Sequence, residues 1–252
     1  MRRRGFFALA AVLACGARAQ QAPGERAGLQ ALRLAALAER IAKLFYQVAQ
    51  GVLVDRSRRA LAEASREFER VLAAVTAEAR SAEAREACLL LRLLWEEYRT
   101  WAARPATRDN ARKLAERADE VAWVAAKCAR LLDAVRAAAL DAAIAAGLAQ
   151  RLARLHFMRR WEPRDAALER RATATAQELR RVLATLAQHA ASQAAVVAEL
   201  QVAENQHVFL EQALRDIAHG RGAAAFEVLA KAADHMMEAL QRAARLLGPA
   251  AA

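Results

Sequence analysis

At 252 residues and 27.5 kDa, with 56% apolar but only 5% aromatic residues, the chain suffices for one or two domains and is poor in the aromatic lining of an ordinary enzyme pocket. Its 71 alanines stand against 9 glycines and 4 prolines. That balance predicts an all-α protein and excludes the closely spaced turns of a sandwich or barrel. The formal charge is +11, yet opposite signs alternate along the chain (Glu63, Arg66, Glu67, Glu69, Arg70) without interleaved aromatics, the pattern of a solvated helix surface rather than of a nucleic-acid partner.

The first 19 residues read as a secretory signal peptide: Arg2, Arg3 and Arg4, an apolar run from Phe6 to Cys15, and Ala17-Arg18-Ala19 before Gln20. A helix over that run is about 15 Å long, half of a hydrocarbon core of about 30 Å, and no later stretch approaches eighteen uncharged apolar residues, so no transmembrane segment is expected. The expected location is periplasmic, by Sec or, on the loose match of Arg3-Arg4-Gly5-Phe6-Phe7, twin-arginine export. The alternative is a lipoprotein, because Val12-Leu13-Ala14-Cys15 fits a lipobox and would put a lipid anchor on Cys15. Losing the four arginines of this leader lowers the charge to +7. Cys88 and Cys128 remain in a compartment that permits disulfides. A simple hairpin about Pro105 sets them apart by roughly 9 Å along the helix axes and does not pair them.

The remainder is an internal duplication. A shift of 111 residues lays Leu37, Arg40, Ala42 and Leu44 over Leu148, Arg151, Ala153 and Leu155, and Glu67, Arg70, Val71 and Leu72 over Glu178, Arg181, Val182 and Leu183. Beyond Pro105 the shift is 115 and lays Leu114, Ala118, Asp119 and Leu131 over Leu229, Ala233, Asp234 and Leu246. Two helical repeats, 26–135 and 136–248, follow from it.

Within the first repeat a helix is predicted from about Arg26 to Gln50, a second from caps at Asp55 or Ser57 to about Ala79, and a third capped by Ser81 and ended before Pro105. Thr107 or Asp109 starts a fourth. From there to about Arg160 the chain holds no proline and only Gly147, which predicts that this helix runs on into the second repeat, about 75 Å in all. Pro163 opens the next helix, Ser192 the one after, and Gly220-Arg221-Gly222 makes the final hairpin. The expected architecture is elongated: about seven helices in two tandem antiparallel four-helix bundles that share one long continuous helix.

Glu39-Arg40-Ile41-Ala42-Lys43-Leu44-Phe45-Tyr46 and Gln150-Arg151-Leu152-Ala153-Arg154-Leu155-His156-Phe157 resemble the S-Q-R-[IM]-A-K-L-Y signature of PilJ-type sensory domains. Trp95-Glu96-Glu97-Tyr98-Arg99 and the segments around Asp119 and Asp234 are similar to that family's W-x-x-Y-R and S-D-x-L-L-x-A patterns. The resemblance implies the ligand-sensing module of a type IV pilus chemotaxis transducer, related to nitrate/nitrite sensors, in two copies. In the nitrate-sensing relatives an Arg one turn earlier holds the anion. Here Ala35 and Ala146 stand in that column, and a methyl group gives an anion no donor. What remains in both copies is a cationic pair on one helix face, Arg40 with Lys43 and Arg151 with Arg154, the expected ligand-binding residues for a small anion.

The resemblance implies transmembrane and signalling regions that these residues do not contain. The first expectation for function is therefore an exported stand-alone sensory or solute-binding module. The alternative is a structural bundle that pairs through its helix faces with a protein partner or a second copy. No enzyme, cofactor or metal site is expected: Glu204/His207 and Asp216/His219 share one helix and cannot face each other across a core, and no framed nucleophile, haem-attachment or phosphate-loop motif occurs.

Overall fold

The structure, a computed structural model, describes residues 23–132, 137–190 and 193–248. The leader, Cys15 and Ser192 lie outside the described residues. Eight helices are present among those described, and no strand: α1 (Pro23–Ala49), α2 (Val54–Ala77), α3 (Ala82–Ala102), α4 (Arg108–Leu132), α5 (Ala137–Trp161), α6 (Ala166–Ala190), α7 (Ala194–Ala218) and α8 (Gly222–Leu247). None is long and apolar enough to cross a membrane.

Helices α1 and α5 form the centre. Helix α1 packs on α2, α4 and α5, and α5 packs on α1, α6 and α8, while α3 leans on α4 and α7 on α8. The sequence of α5 explains its place. Its buried residues run from Ala139 through Gln150 and Arg154 to Phe157 on every side of the helix, and a helix apolar all round is a buried one. Helices α1 and α5 run parallel, for Ala36 meets Gly147 midway along them and Gln50 Nε2, just past α1, donates to the Phe157 carbonyl at 2.7 Å near the end of α5. Ala36 and Gly147 are the same position of the two repeats, so the helices meet where each carries a small residue.

The long shared helix does not exist. Asp119 of α4 lies 2.6 Å from Arg154 of α5, whereas 35 residues of continuous helix would separate them by about 52 Å. The chain direction reverses between α4 and α5, giving eight helices instead of seven, with the two halves folded together rather than drawn out. Nor is Gly147 a break. It sits within α5 facing Ala36 of α1, with room there for a methyl group.

Local signals account for several ends. Ser81 Oγ accepts from Ala84 N at the start of α3. Asp165, not Pro163, caps α6, its Oδ1 accepting from the backbone of Ala167 and Leu168. Helix α2 begins after Leu53 (φ 50°) with no side-chain cap. The expected cap Ser57 is buried and donates to Gln47 Oε1 and the Val52 carbonyl. Phe68 of α2 stacks on Trp95 of α3 at 4.0 Å between ring centres, and Tyr98 donates to the Ala38 carbonyl at 2.6 Å. The Cys88 and Cys128 thiols, both fully buried and free, are neighbours across α3 and α4. These helices are offset along their axes, as the Arg117 to Glu97 pair at 2.9 Å also requires, and the offset removes the mismatch expected of a simple hairpin.

Candidate functional site

The four cations singled out in the sequence do come together, in two clusters at the α1/α5 interface, and each reaches a carboxylate of the opposite repeat. Lys43 Nζ donates to Asp234 Oδ1 at 2.7 Å and to the Ala230 carbonyl, and Arg40 Nε donates to the same Oδ1 at 3.2 Å. In the repeat-equivalent arrangement Arg154 Nη2 donates to Asp119 Oδ1 at 2.6 Å and Nη1 to the Ala115 carbonyl, with Arg151 Nη2 3.4 Å from Asp119. Lys43 and Arg154 have no exposed surface, whereas Arg151 is 39% exposed. The exchange is reciprocal: the first helix of each repeat is tied to the last helix of the other.

The two clusters differ in charge. Glu39, almost fully buried, accepts from Arg154 Nε at 2.7 Å, and Arg171 of α6 donates to Asp119 Oδ2 at 2.6 Å. Three arginines thus face two carboxylates. The repeat partner of Glu39 is Gln150, whose amide donates to the Ala233 carbonyl and, at 3.4 Å, to Asp234. Around Asp234 stand Lys43 and Arg40, with Arg56 near enough to act on both Lys43 and Asp234, so three cations face one carboxylate.

The titration behaviour follows this inequality. Burial lowers Lys43 to about 8, and Arg40 and Arg56 add to the effect while Asp234 opposes it. Burial also opposes the charge of Arg154, but Glu39 and Asp119 outweigh it and hold Arg154 above its ordinary value. Against the burial that would raise it, Arg154, Arg171 and Arg151 keep Asp119 below the usual carboxylate range.

The expected ligand-binding cations are thus matched by carboxylates that the sequence reading did not pair with them. A signal for those carboxylates was present, since Asp119 and Asp234 recur at the same repeat position inside alanine-rich core stripes, where an unpaired charge is costly.

Two grooves flank the Ala36/Gly147 crossing and exchange under the repeat relation. One, about 470 Å³, lies between α1, α4 and α5, with Ala35, Gly147, Arg151 and the 61% exposed Trp123 on its walls. The other, about 240 Å³, lies between α1, α5 and α8, floored by Ala36, Ala143 and Ala146 and edged by Arg33 and Arg245. Ala35 and Ala146 therefore line the two grooves as apolar surface. Met236 and Met237 are core residues beside the exposed His235. Among the described residues no three His, Cys, Asp or Glu side chains gather to hold a metal ion. Comparison of the chain with protein-family models, with curated proteins and with solved structures found no match.

Proposed function

We propose that the protein is an exported sensory or solute-binding module of PilJ type that takes a small ligand in the grooves beside the α1/α5 crossing. The observation that carries this reading is the pair of repeat-related grooves, each with an alanine floor and arginine at its edge. An apolar floor with a few convergent polar groups is the usual make-up of a small-molecule site. Arg151 is the expected residue best placed for a ligand, since it lines a groove and is partly exposed. Arg40, Lys43 and Arg154 act behind it, holding the helices that shape the grooves.

The test is a thermal-shift screen of nitrogen oxyanions, dicarboxylates and amino acids, because a ligand that binds only the folded state stabilises it by RT ln(1 + [L]/Kd). A saturable rise supports the module. No response, together with a concentration-dependent dimer, supports the second reading, a structural bundle that docks through a helix face. Leu89, Leu90 and Leu93, all exposed on α3, favour that reading. Export is tested by N-terminal sequencing of the periplasmic form: a start at Gln20 supports simple cleavage, and a fatty acid on Cys15 supports the lipoprotein.

A further inference from the structure

We infer that a small pocket between α1, α2 and α8, apart from both grooves, is a binding site for one monatomic anion of chloride size. The pocket holds about 30 Å³, the share of a single water molecule. It is lined by Arg40, Gln47, Arg56, Ser57, Ala60 and Asp234, among others.

Three independent features call for negative charge there. The first is an orphaned donor. Gln47 is 2% exposed, its Oε1 is taken by Ser57 Oγ at 2.8 Å, and its Nε2 has no partner. A buried amide donor without an acceptor is costly, so an acceptor in the pocket is favoured. The second is the start of α2. Leu53 offers no side-chain cap, so the first-turn N–H groups and the positive end of the helix dipole lack a capping acceptor. The only acidic side chain of that turn, Asp55, is exposed.

The third feature is the comparison between the two clusters. Around Asp119 the charge is largely closed by Glu39. Around Asp234 the equivalent position is Gln150, and three cations face one carboxylate. The space exists for a related reason: Arg171 at its position fills the second repeat and binds Asp119, while the first repeat has Ala60 there and leaves a hole. Water would satisfy the Gln47 donor, but it would not offset the surplus charge. An anion does both.

The test exchanges gluconate for chloride or bromide at constant ionic strength and follows the melting midpoint. A saturable rise on the order of 5 °C at about 100 mM halide is expected for a millimolar site. Arg56→Gln, at an exposed side chain, keeps the fold and loses most of that rise. Gln47→Leu removes the orphaned donor and does the same. In crystals grown in bromide an anomalous peak is expected against Gln47 Nε2. A midpoint indifferent to halide, a response unchanged in Arg56→Gln, or water in place of bromide at Gln47 overturns the assignment, and none of these results bears on ligands in the grooves.

Discussion

Truncating the two repeat-equivalent buried cations to methionine should cost very different amounts of stability. Arg154→Met removes hydrogen bonds to Glu39 at 2.7 Å, to Asp119 at 2.6 Å and to the Ala115 carbonyl at 3.0 Å. Asp119 keeps Arg151 and Arg171, but Glu39 is left buried with only Arg151, 3.9 Å away. Stranding a buried charge in this way costs about 3 to 5 kcal/mol. Lys43→Met is milder for two reasons. Asp234 retains Arg40 and Gln150, and the charged form of Lys43 is already disfavoured by its burial, so the loss should not exceed about 1 kcal/mol. Equilibrium urea unfolding at pH 7 in gluconate buffer, with unchanged slopes to verify a common unfolded state, measures both. Equal losses, or a larger loss for Lys43→Met, would refute the argument that Glu39 and Gln150 set the two clusters apart.

Stability should also rise with pH on the alkaline side. Between pH 8 and 10.5 the unfolded chain binds a proton at Lys43 that the folded chain does not, so the cost of burying the charge is relieved, by at most about 3 kcal/mol. The Lys43→Met protein lacks that rise. On the acid side His156, lowered to about 4 by burial and then by Arg159, stays neutral in the fold while the unfolded chain protonates. Stability therefore falls as the pH drops from 6.5 toward 4, and titration of a His156→Gln protein should show a shallower fall. Gly147→Ala should stabilise by about 0.5 to 1 kcal/mol through helix propensity, because an added Cβ meets Ala36 no closer than 3.8 Å; a lowered thermal midpoint would contradict the packing described for the crossing. Cys88 and Cys128, both without exposed surface, should react with a bulky thiol reagent only at the rate of unfolding, and prompt labelling of the native protein would mean that α3 and α4 separate.

Helix content and most helix ends were legible because alanine-rich periodic segments, Ser81 and Gly220 act through local chemistry. The reversal between α4 and α5 was not. Residues 109–160 contain a single glycine and no proline, and that glycine lies inside α5, so the local signals favoured continuity. What decides the matter is long-range: Asp119 and Arg154 pair only if the chain doubles back. The near-absence of a polar face on α5 was a usable hint, because an exposed shared helix would have shown one. The cationic columns recur at matched positions of the two repeats, yet their counter-charges lie in the other repeat, at a separation that periodicity does not reveal. Leu53 as the residue before α2 was hidden for the opposite reason, since it starts a helix without the side-chain cap that marks such starts.

The reciprocal clasp between the repeats has a consequence for how the molecule is made. As the chain grows from its N-terminus, α1 emerges first, yet the carboxylate that neutralises Lys43 lies 191 residues later in α8. Until that last helix arrives, the first four-helix unit must leave its central face wet or bury an unpaired ammonium group, and neither is a stable resting state. The halves are thus a single cooperative unit despite their sequence duplication: a fragment ending near residue 135 would lack α5 and α8, and with them the partners of its central helix. Closing contacts over such separations is slow, so folding is completed only once the last helix is in place.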